Sequence, residues 1–294
     1  MGLGQTRTGL ACLLAVGAVV LGCAHPPPAP ALGEQTEERR LAVGEGWLQG
    51  SALGLGPAVP LTLVHGVGGN HHLFDPQLVE FRPGRRVLAF DQRGCGASAD
   101  APGGEYDLET RVRDLGMVLD ALRFDPVILA GHGTGAQVVA RYAERNPTRV
   151  FGLVLIDPVS GNAEAARIAD LPDAELRMAV DRWLDTLLGQ AAPATREKVH
   201  ASVKVARVPA MRAMLMDAAG TDLAGSLAGY PGPVLVLAAP DERIPGPQRA
   251  GIEVRRLSGG SHWSPLDQAA EVNEALKRFL QPLDAEAVRR RKEE

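Results

Sequence analysis

The chain predicts an α/β fold built on a mostly parallel sheet, and two observations carry that expectation. Short, nearly continuous apolar runs alternate with helical patterns, as they do where both faces of a sheet are covered. About seventy residues (159–230) then pass with helical periodicity and no strand signal before the alternation resumes. At 294 residues and 45% apolar content, the chain has the length and composition for one large domain with a sizeable core.

The first 22 residues read as a targeting segment that does not take part in the fold. Arg7 supplies a positive charge, and residues 10–20 form an apolar run of eleven, too short to cross a bilayer as a helix. Val20-Leu21-Gly22-Cys23 resembles a bacterial lipobox, in which the cysteine becomes the lipidated first residue of the mature protein. That resemblance implies export and a membrane tether through Cys23; an ordinary secretory signal cut near Ala24 is the alternative. Residues 23–40, rich in Pro, Ala and Glu, read as a flexible tether. Loss of residues 1–22 removes Arg7 and no acid, so the balance moves from 31 − 35 = −4 to 30 − 35 = −5. That charge, with 4% aromatics, gives no basis for a nucleic-acid partner. Cys23 and Cys95 would remain, the first acylated, and no intramolecular disulfide is expected.

The elements follow in order. A hairpin-like start at 46–50 precedes an apolar strand at 59–64, which runs into His65-Gly66. A second strand spans 86–91, and a helix covers 108–124 with Asp107 as its cap. Strand 126–130, a sharp Gly-rich turn and helix 136–146 come next, then strand 150–156 ending at Asp157-Pro158. Helices are expected at 173–189 and 194–219, the first with Leu176, Val180, Trp183, Leu184, Leu187 and Leu188 on one stripe. Strands at 233–237 and 252–257 and a closing helix at 268–280 complete a domain over 41–283, with 284–294 left as a charged tail.

The turn at 131–135 reads Gly-His-Gly-Thr-Gly. It has the strand–turn–helix context of the G-x-S-x-G nucleophile elbow, with Gly133 where the serine belongs. Other motifs agree in order and spacing: His65-Gly-Val-Gly-Gly69, Asp91-Gln-Arg-Gly-Cys-Gly-Ala-Ser98, Asp241-Glu-Arg-Ile-Pro245 and Gly260-Ser-His262-Trp263. Together these segments resemble the α/β-hydrolase family, in its lid-bearing esterase type, over roughly residues 41–283. The resemblance implies a helical lid at 159–230 and hydrolysis of ester-like bonds in small apolar substrates. It also implies His262 as general base, Asp241 as the acid orienting it, and the amides of Val67 and Thr134 as an oxyanion hole. Asp157 and Asp267 are fallback acids. No cofactor is implied, and the partners expected are a small molecule and, through Cys23, a membrane.

Gly133 changes what that machinery can do. Glycine tolerates the positive φ of such an apex but carries no attacking oxygen. Loss of the serine in a comparable triad costs about 10⁶ in kcat, and on the order of 10³–10⁴ over water survives from the oxyanion hole and binding. Two readings follow: a hydrolase homologue with little or no catalysis, or a hydrolase or lyase in which His262 and Asp241 work through water without a covalent intermediate. The hydroxyls of Thr134, Ser98 and Ser261 are weaker candidates for a substitute nucleophile.

Two readings from other classes are also open. Residues 131–136 match G-x-G-x-x-A, a dinucleotide fingerprint, with Asp157 about twenty residues on. That fingerprint opens the first βαβ unit, whereas two strands precede it here, and it leaves the His262 loop without a purpose. His65, His71, His72 and Asp75 fit no established zinc spacing, and no metal site is expected from them.

Overall fold

The computed structural model describes residue 1 and residues 38–293 apart from 241–243 and 245–249. The targeting segment, Cys23, the tether up to residue 37, and Asp241 therefore lie outside the described residues. The apolar runs become strands β1 (Glu38–Val43), β2 (Gly46–Val64), β3 (Arg85–Phe90), β4 (Val127–His132), β5 (Val150–Ile156), β6 (Val234–Ala238) and β7 (Ile252–Arg256). They form a single sheet in the order β1-β2-β4-β5-β6-β7, with β3 also paired to β2. Among the described residues, β1 runs antiparallel to β2 and the first half of β2 (Gly50–Leu53) runs antiparallel to β3, while the second half of β2 and the remaining pairs are parallel.

The register fixes where chemistry can sit. Phe90 pairs with Val64, Val64 with Gly131, Gly131 with Leu155, and Leu155 with Val236. The loops that follow β2, β3, β4, β5 and β6 consequently open on one edge of the sheet, where open α/β sheets bind ligands.

Both faces are covered, which explains why the strands read as continuous apolar runs. Leu129, Leu153 and Leu155 pack on one face with α2 (Leu108–Leu122) and α3 (Gly135–Arg145). Ile128, Ala130, Val154 and Ile156 pack on the other with α1 (Asp75–Phe81). Asp107 caps α2 as expected, its carboxylate accepting from Thr110 N at 2.8 Å.

Five helices separate β5 from β6: α4 (Ala163–Ala169), α5 (Asp173–Leu188), α6 (Pro193–Val205), α7 (Val208–Gly220) and α8 (Leu223–Gly229). Their apolar stripe, including Leu176, Val180, Leu184 and Met211, packs with Leu73, Cys95 and Trp263 from the loops at the sheet edge. The single helix expected over 194–219 is two. Pro209 has no N–H to donate to the carbonyl four residues back, so α6 stops at Val205, Ala206 and Arg207 turn extended, and α7 restarts at Val208 with the proline in its first turn. At the break, Arg207 N donates to Gly94 O at 2.7 Å, fastening the insertion to the turn after β3.

Two boundaries differ from the sequence reading. The hairpin start and the strand at 59–64 are joined in one continuous 19-residue run, β2, which bends between its halves so that Gly50–Leu53 and Leu61–Val64 pair with opposite edges of β3. The closing segment is α9 (Ser264–Asp267) followed by α10 (Ala269–Glu293), so the charged tail continues a helix. Leu276 and Leu280 of α10 cover the α1 face of the sheet. Asp284 accepts from Val59 N at 3.2 Å and pairs with Arg85 at 2.7 Å, and Ala287 is buried, so residues beyond 283 dock on the domain.

Candidate active site

The turn between β4 and α3 contains three glycines that answer to different constraints. A Cβ at Gly131 would meet Gly135 O at 2.4 Å, and a Cβ at Gly135 would meet Val64 O at 2.2 Å, so neither position admits a side chain. Gly133 has φ +55°, and its amide donates to Ile156 O at 3.0 Å. A Cβ there would clash with no backbone: its nearest neighbours would be His262 Nε2 at 3.3 Å and Gly66 Cα at 3.7 Å. The apex therefore points at the imidazole of His262 across a short gap.

His262 sits half-buried on the loop before α9. Its backbone N donates to Leu187 O of the insertion at 3.1 Å, and its carbonyl accepts from His132 Nε2 at 2.8 Å. His132 is buried, and burial first, then the neighbouring His262, pushes its pKa down to about 3. The ring is consequently neutral, with its proton on the donating Nε2. The rings of His132 and His262 lie 4.9 Å apart, and Trp263 stands edge-on to His262 at 5.4 Å.

The candidate acids have separate fates. Asp267 accepts from Ser261 Oγ, from Thr195 Oγ1 at 2.6 Å and from Ala192 N at 3.2 Å, and so ties the histidine loop to α6. Asp157, at φ +45° just past β5, is buried and accepts from Ser264 Oγ at 2.5 Å. Both fallback carboxylates thus serve the loop's serines. Asp241 lies outside the described residues.

Val67 and Thr134 come together at the other side of the apex. A Cβ at Gly66 would stand 3.2 Å from Thr134 N and 3.0 Å from His132 O, so the 65–69 loop is pressed directly on the turn. Among the described residues, neither the Val67 nor the Thr134 amide donates to a backbone carbonyl, and both residues line the cleft. Two residues lining one cleft, neither amide committed to a backbone carbonyl, suit a developing oxyanion. His65 holds this loop in place: its Nδ1–H donates to Gly66 O at 2.8 Å and its Nε2 accepts from Gln92 N at 2.9 Å. Burial pushes its pKa down to about 4, in keeping with a neutral ring.

The two serine hydroxyls near the site are engaged elsewhere, whereas that of Thr134 is not. Ser98 Oγ donates to Asp91 O at 2.6 Å and accepts from Gln49 N at 2.9 Å. Ser261 Oγ donates to Asp267, and Thr134 Oγ1 is buried without a hydrogen-bond partner. The walls of the cleft are apolar: Leu73, Val159, Trp183, Leu184 and Leu187 face Gly133 and His262. The room left inside is enough for about one water molecule.

Sequence reasoning missed His132 as a support of the site. The signal was present: counting by twos along β4 puts residue 132 on the face shared by Ile128 and Ala130, where the 261–264 loop packs. Nothing comparable identified Leu187 and Trp183, because helical periodicity does not say which turn of an inserted helix meets the sheet edge.

Comparison with known proteins places this geometry in a class. Residues 63–275 match the description "Alpha/beta hydrolase family", and the chain belongs to that family. RutD of Variovorax paradoxus (strain S110), provisionally named a carbamate hydrolase, is 31% identical over 247 residues, covering 77% of this chain and 93% of RutD. A thermophilic esterase from Thermogutta terrifontis superposes with a TM-score of 0.72 at 21% identity, over 84% of this chain and 99% of the esterase. A bromoperoxidase from Bacillus anthracis gives 0.71 at 21% identity, over 83% and 99%. At these identities the two structures speak for the fold alone.

Proposed function

We propose that this chain is an exported α/β-hydrolase-family protein that keeps the base and oxyanion amides of an ester-cleaving site but lacks the attacking atom. One observation carries the reading. The apex of the turn between β4 and α3, where a Cβ would stand 3.3 Å from His262 Nε2, is glycine. In this reading His262 is the base, Asp241 its orienting acid, and the Val67 and Thr134 amides the oxyanion donors. The insertion α4–α8 acts as a lid over an apolar cleft for a small ester-like ligand. Without a nucleophile the acyl-enzyme route is closed, and the site binds or turns over such molecules only slowly.

A second reading rests on the space beside Gly133. A water there, within reach of His262, is an alternative attacker, giving hydrolysis without a covalent intermediate. Short-chain p-nitrophenyl esters separate the two with the full chain, Gly133→Ser and His262→Ala. The first reading predicts near-background turnover in the original chain and a rise of several orders of magnitude in Gly133→Ser. Turnover in the original chain that vanishes in His262→Ala supports water attack instead.

The membrane association proposed here rests on the leader: Arg7, the apolar run at 10–20 and Cys23. Replacing Cys23→Ser should move the protein from the membrane fraction to the soluble fraction of an expressing bacterium. Continued retention in the membrane would contradict a lipid anchor.

A further inference from the structure

The loop after β2 carries two adjacent histidines that the reading above does not use. His71 is 3% exposed, and its Nδ1 lies 2.7 Å from Asp91 Oδ1. That bond fixes the ring and directs Nε2 outward, to 3.0 Å from Glu38 Oε1 at the start of β1. His72 stacks beside it with ring centroids 4.0 Å apart. One ligand atom from each of Glu38, His71 and His72 lies within 4.8 Å of the others, making this a cluster of metal-binding character among the described residues.

Each member already has the kind of partner that supports a metal ligand. Asp91 holds the rear nitrogen of His71, the arrangement that fixes the tautomer of a metal-bound imidazole. Asp75 takes Nδ1 of His72 at 3.2 Å, which leaves that ring's Nε2 free for coordination. Gln49 Nε2 donates to the second carboxylate oxygen of Glu38. The spacing is also suitable. A tetrahedral ion holding a nitrogen and an oxygen at about 2 Å each keeps them roughly 3.3 Å apart, close to the His71–Glu38 separation. His72 is exposed, and its ligand atom lies within 4.8 Å of those of His71 and Glu38, so its ring must shift toward them to close the set.

We propose that Glu38, His71 and His72 form a site for a transition-metal dication of the zinc, nickel or copper(II) class, clasping β1 to the loop that bears Val67. Two imidazoles and one carboxylate favour these ions over magnesium or calcium, which take oxygen ligands. The ion displaces the proton between His71 and Glu38, so binding releases that proton to solvent. The sequence spacing showed no such site because Glu38 lies 33 residues from His71 and reaches it only through the pairing of β1 with β2.

The test uses the full, untagged chain after chelator treatment, with zinc in equilibrium dialysis and thermal unfolding. The expected result is one saturable equivalent of zinc per chain and a raised unfolding midpoint. Both should be lost in Glu38→Gln and in His72→Ala, two exposed positions whose replacement leaves the far-ultraviolet circular dichroism unchanged. Gln49→Ala should weaken binding about tenfold. Absence of saturable uptake in the original chain, or uptake undiminished in both variants, overturns the proposal.

Discussion

The turn at 131–135 and the loop that carries His262 face each other across the cleft, yet they are held by different means. Backbone packing fixes the turn: Gly131 and Gly135 sit so close to neighbouring carbonyls that no Cβ fits, and the Gly133 amide is bonded to β5. Side chains and the insertion fix the loop: His132 Nε2, Asp267 and the Leu187 carbonyl hold it by hydrogen bonds. One wall of the site is thus set by steric exclusion, which tolerates almost no substitution. The opposite wall is set by replaceable polar contacts, each worth on the order of 1 kcal/mol net. The difference separates two kinds of glycine in one short motif. Residues 131 and 135 are required by the architecture, whereas residue 133 is glycine at a place where the surroundings would accept a small side chain.

That comparison breaks most visibly at Gly135. Gly135→Ala puts a methyl 2.2 Å from Val64 O and should cost about 3 kcal/mol in denaturant unfolding, or leave the protein insoluble. A loss below 1 kcal/mol would mean that the turn is less constrained than its packing implies.

His132→Phe probes the other wall. It removes the donor to the His262 carbonyl and should cost about 1–2 kcal/mol near pH 8. The pH dependence sharpens the test. His132 is neutral in the fold with a pKa pushed down to about 3, against an ordinary 6.5, so the unfolded chain binds the proton more readily. Its contribution is fully present above about pH 6.5 and is lost as pH falls toward 3, by up to about 1.4 kcal/mol per pH unit. Phenylalanine has no such proton, so the gap between original and variant should narrow below pH 6.5. A gap that widens on acidification would contradict a neutral, buried His132.

The smallest expected effect on stability is at Gly133. Gly133→Ser meets φ +55° and an imidazole 3.3 Å from its Cβ, so it should cost about 1 kcal/mol, with the His262 loop retreating by a few tenths of an ångström. A loss as large as that of Gly135→Ala would erase the distinction between the two glycines.

The fold was legible in the sequence because its strands are buried on both faces and its turns are marked by glycine at fixed offsets. Val150–Ile156 reads as apolar throughout since alternate residues meet opposite helical layers. The turn at Gly133, the loop at His65 and the loop at His262 were found from local residue patterns, and the structure brings them to one sheet edge. The insertion was visible as helix, yet its break at Val208-Pro209 and its contact through Leu187 were not, because both depend on what α5 and α6 pack against. The alternation along β4 gave the face of His132, but the carbonyl it meets 130 residues later was not legible, because that contact depends on where the His262 loop packs. Glu38 is a sharper case: an exposed carboxylate at the start of β1 gains meaning only when the sheet sets it beside His71.

The measurement closest to the central claim is intact-mass analysis after incubation with a fluorophosphonate, a reagent that phosphonylates an activated serine. The account predicts an unmodified mass for the original chain and a single adduct, mapped to position 133, in Gly133→Ser. An adduct on the original chain would reveal a nucleophile elsewhere within reach of His262 and contradict the reading of the site as a hydrolase pocket without its attacking atom.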